Sequence, residues 1–130
     1  MPEQPNVLII MTDQQRADLC RREGYPLDTT PFLDELAANG VWFNRAYSAM
    51  PACVPARVSM LTGRYASATR VRSNHNVEDA TYTHDLFDVF RAAGYRTAMV
   101  GKNHSHLRSE RVDFWFGAGH CSAPDHAENP

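Results

Sequence analysis

Val7-Leu8-Ile9-Ile10-Met11 is an unbroken apolar run, and it narrows the fold more than any other stretch of the chain. A strand covered on one face alternates apolar and polar residues. An unbroken run needs cover on both faces, which is the setting of a mainly parallel sheet between helices. Tyr95-Arg96-Thr97-Ala98-Met99-Val100 is a second candidate for such a strand. Helical patterns stand between the two. Thr30 can cap a helix that Pro31 opens, Leu33, Leu36 and Ala37 make its apolar face, and Gly40 stops it. A second helix, Thr83 to Gly94, turns Leu86, Phe87 and Phe90 inward. A helix followed by a strand implies a crossover onto a parallel sheet, so the expected class is α/β. Val41 to Tyr47 reads as a short strand or extended approach with its aromatics in the core, and Asp113 to Gly117 as one more short apolar element.

The segment Cys53-Val54-Pro55-Ala56-Arg57 carries the chemistry and runs on to Leu61-Thr62-Gly63-Arg64. Pro55 suits a first helical turn, where its missing N–H has no intrahelical partner to lose. It also biases Val54 away from helical dihedrals, which places Cys53 on an extended entry facing the free N–H groups of the helix. Arg57 follows within the first turn. The segment therefore reads as an anion-handling corner with a potential nucleophile; a small buried cysteine beside ordinary capping is the plainer alternative.

Two groups of polar residues fall where the strands end, the place where open α/β sheets gather ligands. After Val7–Met11 come Asp13 and Gln14, two hard oxygen donors of the kind calcium or magnesium requires. After Tyr95–Val100 comes Gly101-Lys102-Asn103-His104, in which Lys102 and His104 would share one side of an extended chain. Ser67 to Asn76 is a polar, poorly periodic loop in which Arg70, Arg72, Asn74 and His75 could face an anion. His106 is a further imidazole without a motif around it.

Composition excludes some functions. The 130 residues carry a formal net charge of −2 and contain no long basic run, which argues against a nucleic-acid binder. Cys20, Cys53 and Cys121 are odd in number and widely spaced, so no disulfide framework is expected. No apolar run is long enough to span a membrane, and the N-terminus lacks the order of a signal peptide, so no membrane partner and a cytoplasmic location are expected.

Cys-Val-Pro-Ala-Arg followed by Leu-Thr-Gly-Arg resembles the sulfatase signature, in which Cys-x-Pro-x-Arg directs oxidation of the cysteine to formylglycine. The Asn-Val-Leu-Ile-Ile-Met-Thr-Asp opening is similar to the first sulfatase strand. Gly-Lys-Asn-His is similar to the family's Gly-Lys-Trp-His. The resemblance covers nearly the whole chain and implies the N-terminal part of an alkaline-phosphatase-like mixed, mainly parallel sheet flanked by helices, residues 1–130 forming an incomplete portion of the catalytic domain. It implies a formylglycine at Cys53, made by a formylglycine-generating enzyme, and a divalent metal, calcium first with magnesium or manganese as alternatives. Asp13, Gln14 and the modified Cys53 would hold the metal. Arg57, Lys102 and His104 would act at the reacting group, and Asn74, Lys102 and His104 would contact substrate. Asp13-Gln14, in place of the consecutive aspartates of many members, resembles the choline-sulfatase and phosphonate-monoesterase branches.

The implied reaction cleaves a small-molecule or sugar sulfate ester. One hydroxyl of the hydrated formylglycine attacks sulfur and expels the alcohol, and the other collapses to the aldehyde, releasing sulfate. Cations must neutralise the ester's oxygens meanwhile. Phosphonate or phosphate monoester hydrolysis is the alternative within the superfamily, and a non-catalytic binding or assembly module the alternative outside it. The family's later metal ligands have no convincing counterpart here, since Asp113, Asp125 and His126 lack the surrounding motif. The chain is therefore expected to be inactive alone and to work with the remainder of the catalytic domain, in one polypeptide or as a separate chain. Buried-type strands left without neighbours would expose apolar edges. Urea titration of the isolated chain is expected to show a broad transition or self-association; a cooperative transition from a monomer would count against an incomplete domain.

Overall fold

The computed structural model describes residues 4–118, so Cys121, Asp125 and His126 lie outside the described residues. The chain divides into two compact units, one ending at Ala46 and the other beginning at Tyr47.

The first unit is built on one helix and two tight turns. Pro31 opens helix α1, Pro31–Asn39, at the expected place. Thr30 is its N-cap residue, but its side chain makes no capping bond. Its Oγ1 instead accepts the Arg21 N–H at 3.2 Å, and the Thr29 hydroxyl donates to the Leu19 carbonyl. These bonds lace the helix start to the 3₁₀ turns Ala17–Leu19 and Arg21–Glu23, with Cys20 buried between them.

Three expectations for this unit fail together. Val7–Met11 pairs with no strand among the described residues and is exposed, Ile10 at 81%. The apolar face of α1 is also open, with Leu33 and Leu36 exposed. Val41–Tyr47 forms no strand, and Val41, Trp42, Phe43 and Tyr47 are exposed. Trp42 is occupied at its edge and face: its indole N–H donates to Glu23 Oε1 at 3.1 Å, and the Arg22 guanidinium carbon lies 5.5 Å from the ring centroid. The shared reason is that apolar pattern fixes which face seeks cover, while burial requires a second element to supply it.

The second unit has a small core and a sheet. Its elements are α2, Cys53–Thr62, then α3, Ala66–Thr69, α4, Leu86–Ala92, β1, Ala98–Gly101, and β2, Phe114–Gly117. Val54 and Val58 of α2 pack with Val71 beyond α3, and Val77 and Ala80 cover them. Gly63 ends α2 at φ 66°, in the left-handed region that glycine enters without cost. Helix α4 starts later than Thr83, because Asp85 forms a capping box with Asp88.

β1 and β2 are parallel, in the register Ala98↔Phe114 through Gly101↔Gly117. The expected strand of residues 95–100 and the expected apolar element of residues 113–117 are thus each other's neighbours. With the helices they make a mixed α/β fold, the class expected.

A clasp sets the register. Thr97 and Asp113 each stand just before their strand; the Asp113 and Phe114 N–H groups both donate to the Thr97 carbonyl, at 3.0 and 3.1 Å. Asp113 Oδ2 accepts the Thr97 N–H at 2.7 Å and its hydroxyl at 3.0 Å. The Thr97 N–H, then its hydroxyl, hold the Asp113 carboxyl below the usual carboxylate range.

A depressed carboxyl stabilises the fold where it is ionised, and that contribution disappears as pH falls through its folded value. Asp113→Asn is therefore expected to lower the urea midpoint at neutral pH. The gap from wild type should close as the pH drops below the ordinary aspartate value of about 3.9. A gap that is constant with pH would show that the carboxylate charge plays no part in the clasp.

Candidate active site

Cys53 is the first residue of α2, one step further into the helix than the sequence suggests. The extended residue is Ala52, with φ −144° and ψ 145°. The bias that Pro55 imposes on Val54 is a preference of sterics, and Val54 overcomes it by burying its side chain against Val58 and Val71. Pro55 is still within the first turn, where no intrahelical N–H bond is lost. Cys53 and Arg57 consequently lie one helical turn apart on a shared face.

Ala52 has no side-chain oxygen with which to cap α2, and a distant residue supplies one. Asn74 Oδ1 accepts the Val54 N–H at 3.0 Å. The loop that brings Asn74 there is fixed by Asn76. Its Oδ1 takes the Arg72 and Ser73 N–H groups and the Ser73 hydroxyl, and its Nδ2 donates to the Arg70 carbonyl and Asp79 Oδ2. Asn74, expected at the substrate, here caps the helix that carries the thiol.

Arg57 is buried at 8% exposure, and its Nη1 donates to the Lys102 carbonyl at 2.8 Å. Lys102 follows the last residue of β1, and its Nζ lies 3.8 Å from Cys53 Sγ. The contacts close a ring: one turn of α2 presents Cys53 and Arg57, Arg57 grips the Lys102 backbone, and the Lys102 ammonium reaches back to Cys53. The ring thus sets a cation against residue 53 at the helix start.

His104 belongs to the same unit and is half-buried. The expectation that alternation puts Lys102 and His104 on one side does not apply. The extended path stops at Gly101, φ 90°, and His104 itself has φ 40°. A non-glycine residue in that region is held there by its surroundings. Part of the restraint is Asn103, whose Nδ2 donates to the Leu107 carbonyl at 2.7 Å and whose Oδ1 accepts the Ser105 hydroxyl at 2.6 Å.

Asp13 and Gln14 belong to the first unit and are exposed. Their carboxylate and carboxamide oxygens fit a hard cation, and Gln14 has φ 53°, a left-handed backbone uncommon for its type. Among the described residues no group of three or more His, Cys, Asp or Glu side chains is placed to hold a metal ion. The pair therefore fits as part of a donor set, short of the roughly six to eight oxygens calcium takes.

Sequence reasoning missed Asn76, the Asp85 cap and the Asp113 clasp. Asp85 and Asp88, three apart before an apolar run, were the readable signal for a cap. Nothing in the sequence marks Asn76 or Asp113, whose bonds form only once the chain has turned.

The sulfatase family model matches residues 5–123 of the chain. The chain is 37% identical to an uncharacterized sulfatase, YidJ, of Escherichia coli over 92% of its own length and 23% of the relative's. It is 39% identical to an ulvan-active sulfatase of Formosa agariphila over 88% of its length and 24% of that protein's. It is 31% identical to an N-acetylgalactosamine-6-sulfatase of Sus scrofa over 92% of its length and 26% of that protein's. The chain thus spans about a quarter of the length of these curated relatives. No solved structure matches it.

The cap makes a prediction of its own. Asn74→Ala removes the acceptor for the Val54 N–H and is expected to cost about 1 kcal/mol in urea unfolding. Asn74→Asp keeps an acceptor and places a negative charge at the helix start, so it should stay within about 0.5 kcal/mol of wild type. An alanine variant as stable as wild type would contradict the cap.

Proposed function

The chain belongs to the sulfatase family, and from that premise we propose that the protein it forms hydrolyses sulfate monoesters at Cys53 after oxidation of that cysteine to formylglycine. The observation that carries the reading is the Lys102 ammonium 3.8 Å from Cys53 Sγ at the start of α2. The formylglycine supplies a hydrated aldehyde as nucleophile, and a divalent cation, calcium first, supplies a counter-charge to the ester oxygens.

The chain's own residues then have assignable work. Lys102 neutralises an ester oxygen next to position 53, where charge builds as the ester bond breaks. Arg57 adds positive charge one turn along the same face and, through the Lys102 carbonyl, keeps the ammonium aimed. His104 carries the proton to or from the reacting oxygens. Asn74 holds the first turn of α2 through the Val54 N–H and brings its carboxamide to the same end of the helix, where it can contact the anion. Asp13 and Gln14, with the modified Cys53, offer part of the donor set for the cation.

For substrate we propose a small-molecule or sugar sulfate ester; one similar protein is named for N-acetylgalactosamine 6-sulfate chemistry. Gln14 in place of a second carboxylate favours a second reading, a phosphonate or phosphate monoester hydrolase, because it lowers the negative charge of the donor set. The maturation partner is an enzyme that oxidises Cys53.

Intact mass of the full protein expressed with a formylglycine-generating enzyme is expected to show CH2–SH replaced by CHO at Cys53, with aldehyde reactivity. Aryl sulfate should turn over faster than aryl phosphonate, and Lys102→Ala should lower kcat/KM about 100-fold or more. Full activity with an unmodified Cys53 would overturn the formylglycine assignment, and faster phosphonate turnover would select the second reading.

A further inference from the structure

The second unit also holds a buried polar hub that the proposed reaction does not use. Its centre is Asp85, the N-cap of α4, whose side chain is fully buried. Asp85 Oδ1 accepts the Asp88 N–H at 3.1 Å. Asp85 Oδ2 meets His106 Nε2 at 3.0 Å and Arg111 Nη2 at 3.1 Å. Arg111 also holds Asp88 Oδ1 at 2.7 Å and the Tyr82 hydroxyl at 3.0 Å. The Tyr82 ring packs at a tilt of 53° against the imidazole of His106, with centroids 4.4 Å apart. The Asp85 N–H, then the Arg111 guanidinium, hold the Asp88 carboxyl below its usual range.

The two bonds on Asp85 Oδ2 come from both ends of one connection. Residues 102–113 link β1 to β2; His106 lies early in this segment and Arg111 near its end. The segment begins with Lys102 and His104. Its course includes the left-handed His104, a conformation that persists only where neighbours over-determine it. Asn103 braces the turn from within, and the His106 bond fastens it to α4 from outside. Asp85 as a carboxylate can only accept, so Nε2 carries the hydrogen. His106 Nδ1 is then buried with no hydrogen-bond partner among the described residues. The bond to Asp85 is therefore the hydrogen bond by which the imidazole ring is held.

We propose that His106, held by Asp85, is a positioning residue that fixes the loop bearing Lys102 and His104 against the start of α4, and so sets the ammonium at Cys53. The proposal rests on the sulfatase reading for its catalytic consequence, while its geometric content stands on the unmodified thiol. His106 touches neither substrate nor the reacting atoms.

The test uses the full-length protein in two forms, one matured and one with Cys53 left as a thiol, each as wild type, His106→Ala and His106→Gln. The glutamine amide nitrogen can stand in for Nε2. In the thiol form, the alkylation rate of Cys53 by iodoacetamide is read by peptide mass spectrometry. It should change about threefold or more in His106→Ala, since Lys102 leaves the sulfur, and return to the wild-type rate in His106→Gln. In the matured form with an aryl sulfate, kcat should fall about tenfold or more in His106→Ala, KM should move less than about threefold, and His106→Gln should recover most of the loss.

Circular dichroism reports folding. If His106→Ala does not fold, His106→Asn, too short to reach Asp85, takes its place with the same expectations. An unchanged alkylation rate in the alanine or asparagine variant overturns the proposal, as does a folded His106→Gln that behaves like alanine. If the matured wild-type protein leaves the ester intact, the sulfatase reading fails, and the thiol form alone decides the positioning claim.

Discussion

The bond from Arg57 Nη1 to the Lys102 carbonyl is the contact on which the candidate site depends. It crosses from the first turn of α2 to the end of β1, and the Arg57 side chain that makes it is buried. A hydrogen bond from a charged group is worth about 1.5–3 kcal/mol. The bond also has a direction. By holding the backbone of Lys102, Arg57 leaves that residue's side chain to reach Cys53, so the residue one helical turn from the thiol positions the cation that faces it.

The surrounding structure serves that contact mainly through short polar side chains acting on backbone. Asn76 folds the loop that brings Asn74 to the Val54 N–H; Asn103 turns the chain beyond Lys102; the Thr97–Asp113 clasp sets β1 against β2 and with it the point where β1 ends. Each satisfies backbone groups that a loop would otherwise leave exposed. The apolar core beneath is small, centred on Val54, Val58 and Val71, and its role is to hold α2 in place.

What could be read from the sequence follows from how local each cause is. Pro31, Pro55, Gly63 and Gly94 act on their own turn of chain, and the helices they bound form where expected, apart from shifts at Cys53 and Asp85. The cysteine and arginine were singled out because their signature fixes residue types at short spacing, and the lysine through a separate motif, Gly-Lys-Asn-His. Burial was not, because it depends on a partner. Val7–Met11 has the pattern of a doubly covered strand and lies exposed, as do Leu33 and Leu36 of α1. Asn74 was read for what its amide offers an anion, and its bond to the Val54 N–H could not be foreseen without the turn that Asn76 makes. The reading of Lys102 and His104 as neighbours on an extended chain assumed ordinary dihedrals; Gly101 and His104 both depart from them.

A crystal structure of the full, matured protein with vanadate, a mimic of a tetrahedral oxyanion under attack, tests the account most directly. The account predicts the anion against position 53 at the start of α2, with the Lys102 ammonium within hydrogen-bond distance of one of its oxygens and the Arg57 guanidinium still on the Lys102 carbonyl. An anion bound elsewhere, or a Lys102 side chain turned away from position 53 with Arg57 released, would contradict it.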